Sequence, residues 1–312
     1  MSGRTLDGFL CCLVGADQYA LRGVDVALVT RADEMQAGAA DDGRLGVLAR
    51  AGEQIPVYSL AALLGGRRDV RTADRHVVVT GAAGSRYGLL VDRLVRSGGD
   101  GASVIPLPSV VGGAAVRWFE GLLSLQETSC LVLAPEGLRP GGHAPAGSAA
   151  ADDAPLLRPA AEVSSLVLMF ASAALPSAAV KRHAVSAARV AAVVQSMPLV
   201  AVPGRGPHVA ALGAWRGCAV AVLDFSCGAA VTAVSRRFLV LRCGQAQIAI
   251  AVDPDTTLRR ARPDDVRAAA NVPAGYVRGV FKIGGEDVAL VDVDRLVAAA
   301  LDVAPDPVPA LV

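Results

Sequence analysis

Apolar residues along this chain come in short runs of about four to seven, separated by Gly, Pro and Asp rather than by polar helix faces. Arg75–Gly81 and Arg237–Gly244 are such runs, and the alternation in Gln245–Val252 predicts a strand paired with the one before it. Phe9–Ala16 reads the same way, with Cys11 and Cys12 adjacent and so pointing to opposite faces. Helical spacing is confined to Ser59–Leu64 and to Asp292–Leu301 near the end. An α/β chain needs repeated helices of about ten residues or more between strands, and these are scarce. The pattern predicts a mainly β protein of small closed barrels, which hide their sheet edges.

Periodicity stops at residues 137–163, a stretch rich in Gly, Pro, Ala and Ser that reads as a flexible linker, and again in the tail 304–312. The linker leaves two pieces of similar size, expected as domains at 6–136 and 164–303. They repeat each other faintly but in order. Tyr19–Val29 lines up with His183–Val193, Gly46–Leu60 with Ala211–Phe225, Tyr87–Asp92 with Ile248–Asp253, and Trp118–Leu123 with Tyr276–Phe281. One such match is within reach of chance in Ala/Val-rich sequence; four collinear ones are not.

Composition narrows the function. At 53% hydrophobic and 19% charged the chain is no disordered segment. The net charge is +1 and both halves are near neutral, so neither neutralises a row of phosphates and nucleic acid is an unexpected partner. The longest near-apolar stretch, Leu166–Val180, is interrupted by Ser172, Pro176 and Ser177 and is too short to span a bilayer. Phe9–Ala16 has the length of a signal-peptide core but lacks a convincing cleavage site, so the expected location is cytoplasmic, without membrane insertion. Cys11, Cys12, Cys130, Cys218, Cys227 and Cys243 form no C-x-x-C and have no His at metal spacing; they read as small buried hydrophobes. With His76, His143, His183 and His208 scattered, no metal site and no cofactor are expected.

Catalytic signatures fail in turn. Val77–Gly88 begins like a dinucleotide-binding turn, yet Ser85 and Tyr87 stand where the later glycines belong, and no Tyr is followed four residues on by Lys. Its counterpart in the second half, Arg242–Gln247, reads as a hairpin turn. There is no G-x-S-x-G, and the paired carboxylates Asp152–Asp153 and Asp264–Asp265 sit in Pro-rich chain that reads as solvated loop. The expectation is a protein that is not an enzyme.

Trp215-Arg216-Gly217, before the apolar run Val220–Asp224, stands out. The pair reads either as a packed lid with a surface salt bridge or as an interface anchor, where Trp and Arg are enriched. Gly217 implies a positive φ or a close backbone approach.

The order of motifs resembles the CheW-like domain, present twice. Val26/Val29 and Val190/Val193 match its V-x-x-V segment; Trp215-Arg216-Gly217 with Val222–Phe225 matches its L-R-G turn and V-P-V-x-D-L strand. The first copy keeps Gly46, Gly52, Pro56 and Leu60, but Ala51 replaces the motif arginine, Ser59 the aspartate, and Arg50 lies one place early. Gly88, Val91 and Asp92 match the later G-x-x-V-D element, as Val252 and Asp253 do less fully. The resemblance implies two five-stranded SH3-like barrels sharing a core in each domain, with few short helices. It implies an adaptor that couples the cytoplasmic tips of methyl-accepting chemoreceptors to a CheA-type histidine kinase, and that meets other CheW-like domains. On that reading the partner-binding residues are Trp215, Arg216, Gly217, Asp224, Gly52, Pro56, Gly88, Val91 and Asp92. The alternatives are a β-rich ligand-binding or accessory regulatory protein and, behind it, a dehydrogenase-like enzyme.

Overall fold

The structure, a computed structural model, describes residues 8–37, 44–66, 75–81, 85–96, 102–124, 128–139, 166–177, 180–226, 237–244, 246–261, 266–267 and 275–301. Most of the predicted linker, the tail, His143, Cys227, Asp152–Asp153 and Asp264–Asp265 lie outside these residues. The chain divides into two compact units, one built mostly from residues up to 148 and the other mostly from 149 onward.

Each unit is two sheets. In the first unit one sheet runs, in hydrogen-bonded order, Val104–Pro106, Phe119–Ser124, Ser129–Leu133, Asp17–Arg22, Phe9–Val14 and Arg93–Arg96. The other runs Val26–Arg31, His76–Thr80, Tyr87–Val91, Glu53–Ser59, Arg44–Arg50 and Gln36–Ala37. The second unit repeats both orders. Its first sheet is Val277–Ile283, Glu286–Val291, Arg182–Ser186, Leu166–Phe170 and Thr257–Arg260, with a single bridge Arg267–Val280 where the first unit has Val104–Pro106. Its second sheet is Val190–Val194, Arg237–Cys243, Ala246–Val252, Cys218–Leu223, Val209–Trp215 and Leu199–Val200.

The mainly β class holds, and the barrel expectation needs correction. Among the described residues three of the four sheets have six strands rather than five, and the first and last strands of each sheet do not pair, so none of them closes there. Three of the edges are very short strands, Gln36–Ala37, Leu199–Val200 and Val104–Pro106, which limits the length open to foreign pairing there.

The core explains why strands dominate. Val77 and Val79 pack with Leu48, Ile55, Val57 and Leu90 on one face of their sheet, yet Val78 and Thr80 on the opposite face are equally inaccessible. In the second unit Phe238 and Val240 pack with Val220 and Val222 while Leu239 and Leu241 are also fully buried. Strands covered on both faces read as continuous apolar runs rather than strict alternation, which is the pattern of the sequence. The helices are short: Leu60–Leu63 and Val293–Ala300 match the two predicted, capped by Ser59 and Asp292, and Ala115–Trp118 and Pro135–Leu138 are single turns.

Irregularities repeat as faithfully as the ladders. Bulges fall at Val26/Leu28 and Val190/Ala192, at Arg44/Gly46 and Val209/Ala211, and at Phe119/Gly121 and Val277/Gly279. A bulge places two residues against one and re-aims the strand, so its recurrence marks the same local geometry. The repeat is structural as well as sequential.

Val77–Gly88 is no nucleotide turn. His76–Thr80 is followed by its own antiparallel partner Tyr87–Val91, not by a helix. Cys11, Cys12, Cys130 and Cys243 are buried and unbridged, as expected, whereas Cys218 is exposed. Burial pushes the Cys12 thiol up to about 12, with Cys11 adding to it. His183 is 2% exposed, stacked on Phe170 at 5.8 Å, and neither ring nitrogen has a hydrogen-bond partner.

Candidate partner-binding surface

Two hairpins carry the motif residues. In the second unit Val209–Trp215 pairs antiparallel with Cys218–Leu223, Trp215 facing Cys218, so that Arg216 and Gly217 alone make the turn. Their φ values are +48° and +75°. Two successive positive φ values define the tight hairpin turn whose twist matches the flanking strands. Ala51 and Gly52 do the same in the first unit, at +49° and +83° between Arg44–Arg50 and Glu53–Ser59. Ala51 and Arg216 are the two described non-glycine residues with positive φ, and they occupy equivalent places. A Cβ added at Gly52 or Gly217 meets nothing within 4 Å. The glycines are therefore required by φ, not by a close approach.

The turn fixes what each arginine does. Trp215 is half-buried against the cluster of Val220, Val222, Phe238 and Val240, at the end of its strand. Arg216 is exposed, its guanidinium carbon 4.7 Å from the Trp215 ring centroid. Among the described residues it makes no ion pair. The site is a cation resting on an aromatic plate with its donors directed to solvent, an interaction worth about 0.5–1 kcal/mol when exposed.

Arg50 stands where Trp215 stands, one place before the turn. It forms an ion pair with Glu34 and lies 3.4 Å from Thr30 Oγ1, whose hydroxyl donates to Glu34 Oε1 at 2.5 Å. Its charge is taken up within the unit. Glu34 and Thr30 escaped the sequence reading, since nothing local ties them to Arg50, 16 and 20 positions on.

The remaining expected residues are placed as follows. Asp224 Oδ1 accepts from the Ser226 amide at 2.8 Å and the Ser226 hydroxyl at 2.5 Å, and Ser59 Oγ accepts from the Ala62 amide at 3.3 Å. Both therefore shape the chain leaving the strand. Pro56 is half-buried, pairing with Val47 beyond the turn. Gly88 and Val91 are buried, and a Cβ at Gly88 meets Val77 Cγ1 at 2.7 Å. In the chain by itself they serve close packing within the sheet rather than lying at the surface. Asp92 accepts from the Gly15 amide at 2.7 Å and pairs with Arg75 at 3.0 Å, while its amide donates to the Leu13 carbonyl, so it ties together the two sheets of the first unit. Of the nine, Trp215, Arg216 and Gly217 come together at one turn, with Arg216 and Gly217 exposed over half-buried Trp215, and Gly52 is the counterpart of Gly217.

No helix among the described residues is long and apolar enough to cross a membrane, and no cluster of three or more His, Cys, Asp or Glu able to hold a metal occurs there. Compared with known proteins, residues 8–140 and 177–301 each match the CheW-like domain. No curated protein matches the chain. Among solved structures it is similar to the crystal structure of scaffolding protein TtCheW from Thermoanaerobacter tengcongensis, at 16% identity over 44% of this chain and 96% of that one, with a TM-score of 0.37.

Proposed function

Because the chain belongs to the CheW-like domain family, we propose that it is a non-catalytic scaffold of bacterial chemosensory signalling that couples chemoreceptor tips to a CheA-type histidine kinase. A cytoplasmic location goes with that role. The two copies, at 6–136 and 164–303 with a linker at 137–163, supply two docking faces on one chain and raise the effective concentration of one partner at the other. The observation that carries the reading is Arg216: exposed, without an ion pair among the described residues, and set on Trp215 by the turn. A planar fork of donors beside an apolar ring is suited to carboxylates or carbonyls on a partner helix.

The test is Arg216→Glu, assayed against purified kinase and receptor tips. Losing an interface anchor costs about 2 kcal/mol, near thirtyfold in affinity. The thermal midpoint is expected to stay nearly unchanged, because exposed charges contribute about 0–1 kcal/mol to stability. Normal binding of both partners by the variant places the docking face elsewhere.

A further inference from the structure

We infer that the first unit contains a cleft for the guanidinium group of an arginine presented by a partner protein, at the place where the second unit inserts an arginine of its own. This surface is separate from the Arg216 turn and does not depend on the role proposed for it.

The cleft has a volume of about 350 Å³ and is lined by Val24, Asp25, Thr80, Glu120, Pro135 and Glu136 among others. The turn Gly23–Asp25 supplies Asp25, the strand Phe119–Ser124 supplies Glu120, and the helical turn Pro135–Leu138 supplies Glu136. One cation answers these three carboxylates: Arg22 Nε lies 2.5 Å from Glu120 Oε2. Among the described residues no Arg or Lys forms an ion pair with Asp25 or Glu136. Burial, then Glu120 and Glu136, hold the Asp25 carboxyl above its ordinary range, with Arg22 opposing. The nearby Tyr87 hydroxyl donates to the Pro135 carbonyl and so does not serve the carboxylates.

Carboxylates alone do not make a site. The second observation is Thr80, which lines the cleft, is 0% exposed, and has an Oγ1 without a hydrogen-bond partner. Leaving a buried hydroxyl unsatisfied costs about 1–3 kcal/mol, so a donor brought into the cleft is favoured. A guanidinium has five N–H donors and no acceptor, and meets two carboxylates and a hydroxyl oxygen together.

The second unit supplies the precedent. Its turn Ala187–Arg189 occupies the place of Gly23–Asp25, so Arg189 stands for Asp25. Ladder register puts Asp294 in the place of Glu136, Arg278 in that of Glu120 and Leu241 in that of Thr80. There Arg189 Nη2 lies 2.6 Å from Asp294 Oδ2, with Nη1 3.5 Å from the Arg242 carbonyl. Fully buried Leu241 leaves no hydroxyl to satisfy. The second unit thus fills this place with its own guanidinium. The first has Asp25 where that arginine stands, shares the carboxylate at Glu136, and carries Glu120 and a hydroxyl where the second unit has Arg278 and Leu241. Val24, 73% exposed at the mouth, offers the apolar surface on which arginine methylenes rest.

The experiment titrates the full-length, isotopically labelled chain with acetyl-Gly-Arg-Gly-amide and follows amide NMR shifts, with the Lys and Glu peptides as comparisons. The arginine probe is expected to shift Val24–Ala27, Thr80, Gly81 and Glu136 and to leave Ala188–Val190 unmoved. Asp25→Asn and Glu136→Gln are each expected to weaken the probe about tenfold. Asp25→Arg, importing the second unit's residue, is expected to abolish the shifts and raise the thermal midpoint of the first unit. Shifts spread over exposed carboxylates of both units overturn the cleft. Equal binding of the lysine probe overturns the guanidinium assignment, and so does an Asp25→Arg chain that still binds the arginine probe.

Discussion

The hairpin Arg44–Ser59 of the first unit and the hairpin Val209–Leu223 of the second share register, bulge and turn, and differ in where their arginine's charge goes. Arg50 precedes its turn and is held by Glu34 beside Thr30; Arg216 is inside its turn and faces solvent over Trp215. A displacement of one residue moves a side chain from one face of a strand to the other or off its end. The turn accepts either Ala51 or Arg216 at its first position, with φ of +49° and +48°, and glycine at the second. Duplicate domains can therefore keep one scaffold and divide their surfaces, the first neutralising at its hairpin what the second exposes. The acidic cleft inverts the relation: there the second unit is self-satisfied, through Arg189 and Asp294, and the first is open.

The largest expected contrast between the units is their response to acid. Burial pulls His183 down to about 4, and the equivalent residue of the first unit is Tyr19, which carries no such proton. Below its unfolded value near 6.5 the unfolded chain takes up a proton that the folded second unit refuses. Stability from this group is thus complete above that pH and is lost progressively as pH falls toward 4, by about 3 kcal/mol in total. Thermal midpoints recorded between pH 7.5 and 4.5 should fall more steeply for the second unit, and His183→Tyr should remove the difference. Parallel profiles in wild type and variant would break the contrast.

Binding separates the hairpins next. Arg50→Ala is expected to change partner affinity less than twofold where Arg216→Glu changes it about thirtyfold. Comparable losses would mean that both hairpins dock.

The shared turn gives a smaller, symmetric effect. Gly52→Ala and Gly217→Ala each force a Cβ into positive φ without a clash, at about 1 kcal/mol apiece. Denaturant midpoints should shift by similar amounts in the two units; unequal shifts would show that the turns are not equivalent. Smallest is Glu34→Gln, which removes the partner of a roughly half-exposed pair and should cost no more than about 1 kcal/mol. Any gain in partner binding by that variant would show that Arg50 is held in reserve rather than retired.

Much of the architecture was legible from local chemistry. Short apolar runs bounded by Gly, Pro and Asp announced strands, because side-chain direction alternates regardless of what lies far away in the chain, while their cover on both faces was seen only in the fold. The two longer-spaced segments at Leu60–Leu63 and Val293–Ala300 announced helices, each with a capping side chain before it. Gly217 announced a special backbone position, and the offset of Arg50 announced its different face. Strand count and closure were not legible, since they depend on which edges meet.

By itself, then, the sequence determined the β class, the duplication, the capped helices and the glycine turns, all set within a few residues by alternation, φ preference and capping. Tertiary structure alone decided which charges are answered. Arg189 and Asp294 are 105 residues apart, and Arg22 and Glu120 are 98. It likewise decided that Gly88 and Val91 are packing residues and that Thr80 is buried without a partner. Burial and pairing at such separations are properties of the folded layers, because the dielectric and the neighbours that set them exist only once the sheets have come together.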